Sequence, residues 1–469
     1  MHLQAIRLAV LKISLAVAAV SAAAVASPAP LAQEGAPQDP KPAEGASIED
    51  VDQRLRVLER KAELEKEAQA EKEKNSAKVS AGKDGFILES ADGRFKLRIR
   101  GYIQLDGRFF DHDEERPTVD TFVVRRARPI LEGTVYRIFD FRIMPDFGNG
   151  QTVLQDAYLD ARFSPFASVR AGKFKPPVGL ERLQSATDLL FIERALPTNL
   201  VPNRDVGIQL FGEAASGILT YQAGVFNGVP DGGNGDVDTT RGKEGAGRVF
   251  VLPFKTTKSR PVQNLGVGVS GTYGLNEGTT GSTGLAGYRT AGQQTFFAYR
   301  SNGTIAGTAI ADGRRTRVSP QLYWYAGRFG LLAESVTSRQ ELVRDGAPAE
   351  LTNRAWQASA SFMLTDDSTS FRTISPREPF DPPNKGIGAF EIAARAGALR
   401  VDEDAFPLYA DPSASAEVAR ECAGAFNWYL NRNLRVMVDY SWTRFRGGAA
   451  DGEDREDERV VLTRFQIAF

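Results

Sequence analysis

Basic side chains alternate along this chain with apolar ones. In the stretch RFKLRIRGYIQLDGRF, Arg94, Lys96, Arg98, Arg100 and Arg108 share a face with Tyr102, Gln104 and Asp106, while Phe95, Leu97, Ile99, Ile103, Leu105 and Phe109 share the other. That period of two belongs to a β-strand. A row of guanidinium and ammonium groups lining a narrow, water-filled passage replaces part of an anion's hydration shell, so the chemistry this spacing serves is anion binding. Further candidates fall on later strands. Arg126 and Arg128 share a face expected to see a lumen, whereas Arg125 shares the other with Val123, Ala127, Pro129 and Leu131 and is expected to snorkel at the outer interface. Arg142 lies opposite Phe141 and Ile143, and Arg162 opposite Leu159 and Ala161, so both point inward. The competing reading is that each arginine pairs with Asp140, Asp156 or Asp160 and only fills space.

Catalysis lacks its usual groups. The two histidines are His2 and His112, neither on an alternating segment, so a general base and a His/Cys metal set are both missing. A barrel hydrolase is therefore disfavoured, and no enzyme activity, cofactor or metal is expected. Gly232-Gly233-Asn234-Gly235-Asp236 is expected to be a plain loop, because no Lys-Ser/Thr follows its glycines and its Asp spacing does not fit a calcium repeat.

The elements that must position these cations are strands. Sixteen alternating residues exceed a soluble strand and suit a tilted membrane strand with an extension. Similar segments lie near 94–109, 121–135, 139–144, 151–163, 168–175, 205–213, 218–226, 246–253, 264–274, 314–326, 329–340, 354–363, 386–401, 415–429, 433–445 and 459–469. Sixteen is even, as a bacterial barrel requires, and places both barrel ends on one side. Connections 254–263 and 365–385 on the short-turn side are longer than usual, and 293–299 with 305–310 form a possible extra hairpin. The fold class expected is all-β, a sixteen-stranded antiparallel transmembrane barrel over 85–469, with oily side chains facing lipid and basic ones facing water. At 469 residues, with 42% hydrophobic content and 45 glycines, the chain fits one such unit.

The other segments fit an exported protein. Residues 1–26 have the basic start, apolar run and small-residue site of a signal peptide. Residues 27–46 are a Pro/Ala/Gly-rich linker, and 47–74 a helix whose Ile48, Val51, Leu55, Leu58 and Ala62 trace a short coiled-coil seam placed in the periplasm. No later apolar run is long enough for a membrane helix. A net charge of −1 hides cations within strands and acids gathered at 111–115, 402–404 and 451–457. Those acids are candidates for divalent-cation bridges to lipopolysaccharide phosphates; outer-membrane lipid is an expected partner and nucleic acid is not. Residues 176–203 are too long and apolar for a free surface loop and are expected to fold into the lumen, leaving Arg182, Arg194 and Arg204 at a constriction beside Lys173 and Lys175.

Several ordered motifs then carry a resemblance: Gly172-Lys173-Phe174-Lys175-Pro176-Pro177-Val178-Gly179-Leu180-Glu181, Phe191-Ile192-Glu193-Arg194, Arg204-Asp205-Val206-Gly207, Gly224-Val225-Phe226-Asn227-Gly228, Ala389 to Arg395 and Asn427 to Asn431. Together they resemble the phosphate-selective porin O and P family. The resemblance implies a sixteen-stranded homotrimeric porin of a Gram-negative outer membrane, its pore narrowed by the third outer loop. It also implies that arginines and lysines guide phosphate, a longer phosphate chain or other small anions. The alternative is a non-selective or structural porin linking outer membrane and cell wall.

Overall fold

The computed structural model describes residues 48–82, 85–111, 114, 118–238 and 241–469. The expected leader and linker lie outside the described residues. Ile48–Asn75 forms helix α1, with Glu49 and Asp50 in the first turn where acids complement the helix dipole. Val51, Leu55 and Leu58 are exposed on it.

From Lys72 the chain is a separate compact unit, a closed antiparallel barrel of sixteen strands. A hairpin of β1 (Lys78–Gly82) and β2 (Gly85–Glu89) precedes it. The first wall half comprises β3 (Phe95–Asp111), β4 (Thr121–Val135), β5 (Phe139–Asp146), β6 (Val153–Arg162), β7 (Ser168–Phe174), β8 (Asp205–Ala214), β9 (Leu219–Phe226), β10 (Glu244–Val251) and β11 (Leu265–Glu277). A small hairpin, β12 (Tyr288–Arg289) with β13 (Thr295–Phe297), lies in the next connection and forms a sheet of its own. The wall resumes with β14 (Ile310–Ala326), β15 (Phe329–Arg344), β16 (Ala347–Met363), β17 (Ala389–Arg400), β18 (Ala416–Tyr429), β19 (Leu434–Gly447) and β20 (Glu458–Ala468). The extra hairpin near 293–310 therefore adds no stave.

Alternation fixes which side chains face outward. Ile99, Ile103 and Leu105 of β3 are exposed on the outer surface, whereas Gln104 and Asp106 are buried inside. The wall closes where β20 pairs with β3, from Arg459 opposite Asp111 to Ala468 opposite Tyr102. Below that point β2 takes over the same edge of β3, from Phe86 opposite Ile99 to Glu89 opposite Lys96. At the changeover Gly101 and Phe469 exchange reciprocal backbone hydrogen bonds of 2.9 Å. A side chain at Gly101 would meet the Arg128 carbonyl at 2.8 Å, so the close approach requires glycine.

One buried ion pair crosses this seam. Arg464 Nε and Nη2 donate to the two Asp106 carboxylate oxygens, each at 2.7 Å, with both side chains essentially inaccessible. Asp106→Ala leaves the guanidinium buried without its acid, an expected cost of about 3–5 kcal/mol. The variant's unfolding temperature in detergent should fall, and the Asp106→Leu, Arg464→Met pair should recover most of the loss. An unchanged unfolding temperature for Asp106→Ala would contradict this account.

Candidate functional site: a cation-lined lumen

The connection between β7 and β8 runs inside the barrel. Val178, Leu180, Leu196, Leu200 and Val201 are almost wholly buried, and most of them pack with Tyr288, Phe296 and Phe297 of the β11–β14 connection. Apolar burial fills the lumen but does not fix a loop's course; polar wall residues do that. Glu334 of β15 accepts from the Leu180 and Glu181 backbone N–H groups at 2.6 and 3.2 Å, and Asp439 of β19 accepts from Ile192 N–H at 2.5 Å. Loop carbonyls are held as well: Gln104 donates to Ala186, Asn427 to Leu190, Arg435 to Leu189 and Arg395 to Glu193, at 2.7 to 3.1 Å. Each bond satisfies a main-chain group that burial would otherwise leave unpaired.

Glu193 is the loop's charged anchor. It accepts from Arg125 at 2.6 and 3.2 Å and lies 3.9 Å from both Arg108 and Arg126. Those arginines hold its carboxyl far below the usual range despite burial. Arg125 is here a correction, since the strand pattern placed it at the outer interface. Gln104 and Leu105 of β3 face Arg126 and Val124, so Arg125 is the extra residue of a β-bulge. The bulge resets the alternation and turns both arginines to the interior.

Between this loop and the barrel end that carries Phe469 lies a cavity of about 820 Å³. Its lining holds eleven cations, Arg98, Arg100, Arg128, Arg142, Arg170, Lys175, Arg194, Arg204, Arg248, Arg372 and Arg432, against the acids Asp156 and Asp188. Many of these cations have carboxylate partners just behind them. Arg100 is bidentate to Glu132 at 3.0 and 2.7 Å, Arg128 meets Asp146 at 2.7 Å, and Arg170 is bidentate to Asp160 at 2.7 Å. Arg142 lies 3.2 Å from Glu132, Arg204 3.1 Å from Asp156, and Arg98 only 3.9 Å from Glu132. Lys175 and Arg194 differ. Lys175 Nζ donates to the Gln184 carbonyl at 2.6 Å, and Arg194 donates to the Gln184 and Glu181 carbonyls at 2.9 and 3.3 Å. Burial, reinforced by the Arg204 and Arg194 guanidinium groups, pulls the Lys175 ammonium well below the ordinary lysine range. Among the described residues neither makes a direct carboxylate contact, so an anion arriving there would meet two donors held only by main-chain carbonyls.

Of the basic residues expected at the lumen or its constriction, Arg98, Arg100, Arg128, Arg142, Lys175, Arg194 and Arg204 line the cavity, whereas Arg126, Lys173 and Arg182 do not. Arg126 is buried above it, donating to Gln104 at 2.7 Å. Lys173 has the odd parity of Val169 and Ala171, opposite to Arg170, and pairs with Asp236 of the β9–β10 connection. Arg182 braces the loop from within, donating to the Thr198 carbonyl at 2.5 Å and to Asn203 at 3.2 Å. Sequence reasoning missed Arg170, Arg248, Arg372 and Arg432. The first two alternate with Val169, Ala171, Val249 and Val251 and were open to the same face test. Arg372 enters because the long 364–388 connection also turns inward: Phe371 stacks on Tyr323 with centroids 4.7 Å apart, and its carbonyl accepts from Gln184 at 2.9 Å. No local pattern marks that course.

A closed sixteen-stranded barrel with an apolar outside, a polar inside and an entering loop defines an outer-membrane porin. Residues 95–469 match the phosphate-selective porin O and P family, to which the chain belongs. It is 23% identical over 410 residues to Porin O of Pseudomonas aeruginosa, covering 82% of this chain and 91% of that one. Among solved structures, the outer membrane channel DcaP of Acinetobacter baumannii aligns with a TM-score of 0.52 at 12% identity, over 81% of this chain and 99% of that one. OmpT of Vibrio cholerae aligns with a TM-score of 0.49 at 11% identity, over 80% and 98%.

Proposed function

We propose that the protein is a passive channel favouring small anions, with inorganic phosphate or a short phosphate chain as the first expected solute. The observation that carries this reading is the lining of one cavity, eleven cations against two acids, with the carboxylates of Glu132, Asp146 and Asp160 set behind it. Each cation offers a partly dehydrated anion a charge-assisted hydrogen bond, strong enough to draw it in, while the spread of sites lets it leave. Arg98 and Arg100 lie toward the Phe469 end and Lys175, Arg194 and Arg204 beneath the loop, so an anion passes between cations along the whole cavity. The family description, phosphate-selective, points to the same solute. The test is a planar-bilayer measurement on the native protein in a potassium chloride gradient, followed by added phosphate. An anion-signed reversal potential and partial block of chloride current by phosphate are expected; a cation-signed potential refutes the reading.

We further place the barrel as a homotrimer in the outer membrane, with α1 in the periplasm. The exposed Val51, Leu55 and Leu58 on α1 give three such helices a seam to share. The same exposure supports a second reading, a structural porin whose helix contacts the cell wall. Deleting α1 separates the two: lost envelope adhesion with unchanged conductance favours the second.

A further inference from the structure

The outer surface of β16 to β20 carries a second set of arginines that the lumen does not use. Arg354 of β16 stands directly opposite Arg400 of β17, and Arg420 of β18 directly opposite Arg444 of β19. Arg459 of β20 follows opposite Trp442. Like charges in directly opposed positions destabilise a sheet unless a third group neutralises them. Local acids do so incompletely. Glu417 serves both Arg446 and Arg400, Glu403 lies 3.6 Å from Arg400, and Asp457 lies 3.6 Å from Arg444. Arg354 and Arg420 are exposed and meet no carboxylate among the described residues.

Immediately below the row, toward the Phe469 end, is an apolar groove of about 530 Å³. Its floor is made of small outward residues on adjacent strands, Ala358 and Ala360, Ala394 and Ala396, Cys422 and Gly424, and Tyr440 and Trp442 stand at its side. Further down, the outward positions become large again, at Phe362, Ile392, Phe426 and Val438. Trp442 marks the boundary, with the Arg444 and Arg459 guanidinium groups 5.6 and 5.7 Å from its ring. A tryptophan between a basic row and an apolar trough occupies the depth where a lipid headgroup meets its chains.

We propose that this face binds a phosphorylated lipid of the membrane leaflet at the loop end. Its phosphates sit on Arg354, Arg420 and Arg444, and one acyl chain lies in the alanine groove. The planar guanidinium suits bidentate contact with phosphate oxygens, and arginines on neighbouring strands suit a headgroup carrying more than one phosphate. A protein neighbour would have to bring carboxylates to the row; a phosphorylated lipid brings its own negative charge. The proposal rests on the barrel spanning a membrane and is independent of what the lumen selects.

Cys422, the only cysteine of the chain, is exposed in the groove and reports directly on its occupancy. The experiment measures maleimide labelling of Cys422 in the purified full chain in detergent, with added bisphosphorylated lipid A or the same lipid stripped of phosphate. Lipid A should slow labelling at least fivefold, the phosphate-free lipid should not, and R354Q/R420Q/R444Q should abolish the protection while single-channel conductance stays unchanged. Labelling indifferent to lipid A, or slowed equally by both lipids, overturns the proposal. Protection that depends on protein concentration and not on lipid also overturns it, by assigning the face to a second copy of the chain.

Discussion

Replacing Glu193 by alanine should enlarge the single-channel conductance and destabilise the closed-in loop. Among the described residues, Glu193 is the one carboxylate within 4 Å of Arg108, Arg125 and Arg126. Without it three guanidinium groups share a poorly solvated space, and breaking a buried pair on one side typically costs about 3–5 kcal/mol. The loop can relieve that cost by withdrawing and admitting water, which widens the lumen. Glu193→Gln, which keeps the shape and loses the charge, should behave nearly as badly, whereas the Glu193→Ala, Arg125→Ala double variant should recover in part. Conductance steps identical to those of the native channel in all three would show that Glu334, Asp439 and the carbonyl contacts suffice to hold the loop.

Selectivity should respond most to Lys175 and Arg194. Both donate to main-chain carbonyls. Hydrogen bonds to charged groups contribute about 1.5–3 kcal/mol each, so the Lys175→Met and the Arg194→Met channel should each bind phosphate roughly ten- to a hundredfold more weakly. Phosphate block of chloride current measures this directly. Removing Arg128 or Arg170 should matter less, since Asp146 and Asp160 already balance them. A pH dependence accompanies the effect. The Lys175 ammonium titrates below the ordinary lysine range and loses its charge as pH rises through that lowered value. Native anion selectivity should therefore decline as pH rises, before free lysines titrate, and Lys175→Arg should hold it level. A native channel with constant selectivity up to the ordinary lysine range would remove Lys175 from the mechanism.

The wall was legible because a membrane strand displays its period over many residues. The segments expected at 329–340 and 433–445 differ from β15 and β19 by a few residues at their ends. What the pattern could not show were single-residue events and long-range bonds. The bulge at Arg125 inverts the facing of a residue without altering composition, and Gly172, with φ of 129°, sits one residue before Lys173. The ties that hold 176–203 join Leu180 to Glu334 and Ile192 to Asp439, partners 154 and 247 positions apart, where no window of sequence sees both. Arg372 belongs to the same class, carried into the lumen by a connection whose length alone was visible.

The seam between β3 and β20 has a kinetic consequence. Asp106 and Arg464 are 358 positions apart, and the β3–β20 pairing they belong to joins the two ends of the wall, so it carries the largest loop-closure entropy of the strand pairings. Until it forms, the curled sheet keeps two bare margins whose amides and carbonyls attract any other extended chain. Sealing is thus expected to be the slow step of this molecule's maturation. A helper that shields either margin would hasten the barrel's birth without contributing a single bond to its finished form.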